Sequence, residues 1–165
     1  MTFSCFKNRP FLLNDLSCDH LAQAIKKAAV KHSFELWAYV FMPNHVHLLI
    51  YPETNKYSIS KILATIKQPV SRKIINYLKK YNPDELRPMS AGKKAGPYRF
   101  WQDGGGYDRN IVSCTVLVNA INYIHNNPVK KGLVNKPSDY YWSSAKDWDG
   151  IGRGPIEVNR GFVHF

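Results

Sequence analysis

Two histidines with one residue between them, His45 and His47, stand in the run Pro43-Asn44-His45-Val46-His47-Leu48-Leu49. On a β-strand alternate side chains share a face, so both imidazoles point one way while Val46 and Leu48 point the other. Neutral imidazole is a common ligand for divalent metals, and two on one strand face are spaced for a single ion. Tyr123 and Asn127 form a second pair, one turn apart on a predicted helix and therefore on one face of it. The amide oxygen of Asn127 would serve as a third ligand, leaving coordination positions open for a phosphate oxygen. A phenol is a weak nucleophile near neutral pH, its reference pKa being about 10. A divalent ion that polarises a phosphodiester stabilises the charge that develops as a phenol attacks. The products of such an attack are a phosphotyrosine and a free hydroxyl. The ester is conserved, so strand rejoining needs no ATP, and the chain has no GxxxxGK[ST] phosphate loop. A His-x-His pair on a solvated face, or a lone helical tyrosine, is ordinary in proteins without this chemistry. The coincidence of His45, His47, Tyr123 and Asn127 is what gives the reading its content.

These residues need elements to hold them. Thr2 to Lys7 reads as a first strand. Phe11 to Leu13 is apolar and precedes a turn at Asn14-Asp15. Asp19 is placed to cap a helix running to about His32, with Leu21, Ile25, Ala28 and Ala29 on its buried face. Phe34 to Phe41 and His45 to Tyr51 are aromatic and β-branched strands joined by turn chemistry at Met42-Pro43-Asn44. Ser58 or Ser60 caps a second helix whose core face carries Ile62, Ile66, Val70, Ile74 and Leu78, with Pro69 expected to kink or split it. Asn82 to Pro97 is a loop-like excursion. Tyr98 to Gln102 is a short last strand, followed by a turn at Gly104-Gly105-Gly106. Ile111 to about Asn127 is a third helix, ended by Pro128 because the residue before proline avoids the α region. The tail from about Val129 reads as irregular. The order strand, helix, strand, strand, helix, strand, with an added helix, predicts an α+β chain: a ferredoxin-like antiparallel sheet with helices on one face. The whole of residues 1–165 is read as a single domain.

Charge narrows the class of partner. Lys and Arg number 23 against 12 Asp and Glu, a formal net charge of +11. An acidic partner is expected, nucleic acid first. Lys67, Arg72, Lys73, Lys93, Lys94, Lys130 and Lys131 are candidates for contacts to a DNA backbone; Trp101 and Trp142 are weaker candidates for stacking on a base, core packing being the commoner use of both. Three cysteines, Cys5, Cys18 and Cys114, with no CxxC spacing, speak against a disulfide framework or a four-thiolate zinc site. No apolar run approaches the ~18 residues of a membrane span, and no signal-peptide pattern opens the chain. A cytoplasmic location is expected, with no membrane partner.

The stretch Ala38-Tyr39-Val40-Phe41-Met42-Pro43-Asn44-His45-Val46-His47-Leu48-Leu49 resembles the His-hydrophobic-His (HUH) segment of the single-tyrosine transposases. Tyr123-Ile124-His125-Asn126-Asn127-Pro128-Val129-Lys130-Lys131-Gly132-Leu133-Val134 is similar to the tyrosine segment of their REP-associated branch, as are the blocks Phe100-Trp101-Gln102 and Asp139-Tyr140-Tyr141-Trp142-Ser143-Ser144. Each block is weak alone; four in the right order are specific. The resemblance implies the ferredoxin-like HUH endonuclease fold. It implies a substrate of single-stranded DNA beside a hairpin or palindromic repeat, cleaved to leave the 5′ phosphate on tyrosine and a free 3′ hydroxyl. It also implies Mg²⁺ or Mn²⁺ as cofactor. By position, His45 and His47 match two ligands, Asn127 the third and Tyr123 the nucleophile; the third ligand is Gln in many single-tyrosine transposases.

Other readings remain open from sequence. A non-cutting module that holds single-stranded nucleic acid on a ferredoxin-like sheet fits the charge and aromatics equally well, but gives no reason for the His, Tyr and Asn to coincide. A hydrolytic metal nuclease would want carboxylates near the His pair, and none is adjacent. A replication initiator or relaxase of the HUH class lacks the C-terminal blocks. The DNA site, and whether the chain acts as a monomer or homodimer, are not encoded legibly.

Overall fold

The computed structural model describes residues 1–92, 97–104 and 106–161. Three antiparallel strands make the sheet: β1 (Thr2–Ser4), β2 (Phe34–Met42) and β3 (His45–Pro52), in the order β1-β3-β2. β2 and β3 form the expected tight hairpin, with Met42 opposite His45. β1 lies on the far side of β3, pairing Thr2 with His47 and Ser4 with His45.

Two long helices cover one face, as the sequence predicts. α1 (Asp15–His32) begins earlier than Asp19: Asn14 is its N-cap, accepting from the Leu16 amide at 2.8 Å, so the residues read as a turn are the helix start. α2 (Ile59–Tyr81) is capped by Ser58 and runs unbroken through Pro69 rather than splitting there. Burial of Ile62, Leu63, Ile66, Val70, Ile74 and Leu78 along one stripe offsets the single backbone bond that proline deletes. These side chains meet Phe3, Tyr39, Phe41, Val46 and Leu48 from the sheet in the main core.

The added helix, α3 (Cys114–Lys130), packs on the opposite face. Its Ile121 and Ile124 close over Ala38, Val40 and Met42. It starts after Ser113, whose hydroxyl accepts from the Val116 amide, and it does not stop at Asn127. Pro128 lies inside it and is buried, as is Asn127, and the helix continues to Lys130. Proline so near a C-terminus removes only one bond, and the Asn127 Nδ2 donates to the Tyr123 carbonyl at 3.0 Å, an extra tie across that turn.

Two segments differ from expectation. No fourth strand forms at Tyr98–Gln102; instead isolated bridges join Cys5 to Trp101 and Thr2 to Tyr107 along β1. Gly104 and Gly106, both at positive φ, stand between them. Gly106 has φ 76°, and a Cβ there would stand 2.1 Å from the Thr2 carbonyl oxygen, a conformation and an approach open only to glycine. Within the predicted loop, Pro83–Met89 forms a 3₁₀ helix that buries Leu86 and Met89. Residues 93–96, within the expected excursion, lie outside the described residues.

The tail is more ordered than its sequence suggests. It contains a 3₁₀ turn (Pro137–Asp139) and a short helix, α4 (Ala145–Asp149). The Phe41 amide donates to the Trp142 carbonyl, the Ser144 amide to the Tyr39 carbonyl, and the Asn159 amide to the Leu36 carbonyl, so the tail follows the outer side of β2. Ser144 Oγ also accepts from the Tyr39 amide at 2.9 Å and lies 2.8 Å from His125 Nε2.

Burial holds the His125 pKa down at about 4, against an ordinary value of 6.5. Between these values the unfolded chain binds the proton and the folded chain does not, so stability falls as pH drops through that window and the effect is absent above it. His125→Gln should flatten this acid limb by up to roughly 3 kcal/mol near pH 4. Denaturant unfolding at steps from pH 7.5 to 4.5 measures it; parallel curves for the two proteins would refute it.

Candidate active site

The β1–β3 register and the packing of α3 bring the four expected residues together. His45 and His47 project from β3 toward α3, with ring centroids 4.8 Å apart. The Tyr123 ring stands edge-on to His47 at 5.4 Å, and Tyr123 is half exposed. Asn127 is buried one turn further along the helix.

Each imidazole is held through one nitrogen. His47 Nδ1 lies 2.7 Å from Thr2 Oγ1, the partner that β1 supplies. Its Nε2 is buried and has no hydrogen-bond partner among the described residues. An orphaned buried ring nitrogen is unfavourable unless something else takes its lone pair. His45 Nδ1 lies 2.7 Å from Asn44 Oδ1. Burial lowers the His45 pKa, and the nearby Lys131 charge adds to this, while a hydrogen bond with the Asn127 side chain acts the other way. Asn127 is thus the helix side chain that reaches His45. The His47 pKa is lowered to about 4, mainly by burial and then by His45 and the N-terminal ammonium. Both rings are thus held neutral, the form in which imidazole donates to a metal.

Among the described residues, no group of three or more His, Cys, Asp or Glu side chains is placed to hold a metal ion. The Asn127 side chain, which reaches His45, could supply a further donor beside this pair. Two neutral imidazole nitrogens with an amide oxygen beside them are donors that a divalent ion accepts, and as neutral ligands they leave it its full charge toward further oxygen ligands. An open cleft of about 630 Å³ adjoins the pair, lined by Thr2, His47, Tyr107, Arg109, Asn119 and Tyr123 among others.

Residues 2–127 match the profile of the family described as "Transposase IS200 like". The chain belongs to the IS200-like transposase family. Within the family it is 26% identical to a protein of Haemophilus influenzae named as a REP-associated tyrosine transposase, over 77% of this chain and 73% of that relative. The fold of this transposase-family chain is also that of a REP-associated tyrosine transposase solved bound to a REP hairpin. The TM-score is 0.70 and the identity 22%, over 99% of this chain and 86% of the other.

The expected DNA-contacting residues divide. Lys130 and Lys131 are exposed at the end of α3; the Lys130 Nζ lies 5.1 Å from the Tyr123 ring centroid. Arg72 and Lys73 are exposed on α2, across the sheet from Tyr123. Lys67 is half-buried, and its ammonium donates to the carbonyls of Gln102 (3.1 Å) and Gly104 (3.0 Å), tying α2 to the loop beside β1. Trp101 is no stacking platform. It is 6% exposed, its indole N–H donates to the Lys67 carbonyl, and its ring packs edge-on to Phe3 and Phe100. Trp142 stacks on Phe41 and donates to Asp15 Oδ1. Lys93 and Lys94 lie outside the described residues. Sequence reasoning missed Thr2, since its tie to His47 exists only through the β1–β3 pairing. It also missed Tyr107 and Arg109, which carry no periodic or motif signal. No described helix is long and apolar enough to cross a membrane.

Proposed function

We propose that this chain is a transposase-type endonuclease and strand transferase that nicks single-stranded DNA beside a hairpin, with Tyr123 as nucleophile. The observation that carries the reading is the orphaned His47 Nε2, buried within ring contact of a half-exposed tyrosine. His45, His47 and the Asn127 oxygen would hold a divalent ion, Mg²⁺ or Mn²⁺. When bound, that ion supplies Lewis acidity toward a phosphate oxygen.

The remaining work falls to the chain's own side chains. Thr2 and Asn44 fix the two imidazoles through Nδ1. The Tyr123 oxygen attacks phosphorus, the bond from phosphorus to the 3′ oxygen breaks, and the phenol proton ends on the departing 3′ hydroxyl. The 5′ phosphate stays on tyrosine, and the reverse attack by a 3′ hydroxyl rejoins a strand. Lys130, whose ammonium lies by the Tyr123 ring, and Lys131 would bring positive charge to the phosphate. The hairpin named for the structural relative points to hairpin-bearing DNA as the partner.

The test is incubation with end-labelled hairpin oligonucleotides carrying single-stranded flanks, in Mg²⁺, Mn²⁺ or EDTA. An SDS-resistant adduct through the 5′ phosphate, dependent on the metal, is expected. Tight hairpin binding with no adduct in either metal would replace this reading with a non-cutting single-strand binder.

A further inference from the structure

A second hollow continues from the catalytic cleft. The two share Met1, Arg109 and Ile111 in their walls, and the second extends along Trp37, Tyr51 and Tyr57. The geometry of β3 explains the continuity. His45, His47, Leu49 and Tyr51 alternate onto one face of the strand. At ~3.4 Å per residue, Tyr51 stands about 14 Å beyond His47 along that face.

The sheet is modified at this point. Leu36 pairs with Ile50 and Ala38 with Leu49, so Trp37 is an extra residue at a bulge. Bulges re-aim side chains, and here the indole lies flat on Tyr51, with ring centroids 4.8 Å apart and planes 5° from parallel. The indole N–H donates to Glu35 Oε2 at 2.8 Å, which fixes the ring in its plane. Tyr51 remains 50% exposed although one face is covered, and Tyr57 is 44% exposed beside it. A backed aromatic ring in a hollow that runs on from a phosphodiester-cutting site, in a chain of net charge +11, matches the parts of a single-strand groove: stacking surface, cation and continuity with the cleft.

We propose that Tyr51, backed by Trp37, is a stacking shelf for one unpaired nucleobase of the strand cut at Tyr123, with Arg109 contacting the phosphate backbone between shelf and cleft. This rests on the nuclease reading above. Stacking reads the flat face that every base has, so the shelf selects for an unpaired nucleotide and tolerates its identity.

The experiment walks a single abasic site along the unpaired flank of a hairpin oligonucleotide and measures binding to the full chain in EDTA by fluorescence anisotropy. Wild-type affinity should fall about ten-fold at one position and little at the others. Tyr51→Ala should bind the intact flank about ten-fold more weakly and lose its sensitivity at that position, while Tyr51→Phe, which keeps the ring, should retain both. Uniform wild-type affinity across the walk, or an equal abasic penalty in Tyr51→Ala, overturns the shelf. Covalent capture by wild-type protein in Mn²⁺, run on the same oligonucleotides, separates the two failures. Adduct without a sensitive position sinks the shelf and leaves the nuclease standing, whereas neither adduct nor binding sinks both.

Discussion

Tyr123→Phe should abolish covalent capture of DNA, a fall of at least about a thousand-fold, while hairpin affinity stays within about two-fold of wild type. The change removes one oxygen. Among the described residues that oxygen has no hydrogen-bond partner, and the ring's contacts with His47 and Lys130 survive the substitution. The helix loses nothing structural, so a folded, binding-competent and chemically silent protein is the expected product. Gel analysis after SDS treatment gives the adduct and anisotropy gives the affinity. A Phe variant that nicks at the wild-type rate would move the reaction to a water nucleophile. The other tyrosines on the sheet are poor substitutes: Tyr39 is fully buried with its phenol pKa pushed up by burial, and Tyr51 lies stacked on Trp37.

His47→Ala should cut nicking by roughly 10²–10³-fold or more and remove a divalent-ion binding event from titration calorimetry, again with hairpin affinity largely kept. The mechanism of loss is specific. His47 offers the unpartnered Nε2, and its Nδ1 is spoken for by Thr2. Thr2→Val keeps the shape of the side chain and deletes that bond, so it should weaken metal affinity by roughly 10–100-fold, with nicking recovered at high metal concentration. Recovery by added metal distinguishes the Thr2 variant from one that has merely lost its fold. Cleavage of equal rate in EDTA and in Mg²⁺ would sink the metal assignment for His45, His47 and Asn127 together.

The local parts of this site were legible because they repeat at the period of their own element. Alternation along β3 put His45 and His47 on one side, and a spacing of one turn put Tyr123 with Asn127. The hairpin followed from Met42-Pro43-Asn44, and α1 and α2 from their apolar stripes. What failed to show was whatever depends on a partner far along the chain. Thr2 reaches His47 only by strand pairing across 45 residues. Trp101 could be read either as a stacking aromatic or as core, and only its neighbours Phe3 and Phe100, which sequence periodicity does not reveal, assign it to the core. Lys67 looked like a surface cation because the carbonyls that hold it come from an irregular loop. Pro128 looked like a stop because proline rules describe an isolated helix, whereas burial of Asn127 and Pro128 carries α3 one turn further. The fourth strand was expected from Tyr98–Gln102, and with Gly104 and Gly106 beyond it at positive φ only single bridges form.

The bonds from Trp142, Ser144 and Asn159 to β2 have a bearing on how copies of the chain meet. A bare sheet margin is a template on which another polypeptide can add, by ordered pairing or by aggregation. Here one margin is occupied by the tail along β2 and the other by bridges from Trp101 and Tyr107 to β1. A second copy could extend this sheet only by first evicting a stretch of its host's own backbone. Association through side chains, or through a shared DNA, faces no such toll. Shortening the tail to before Trp142 would expose a nine-residue strand, rich in Phe, Tyr and Val, along its whole length. The same tail that carries no ligand of the proposed chemistry would then decide whether the protein remains dispersed.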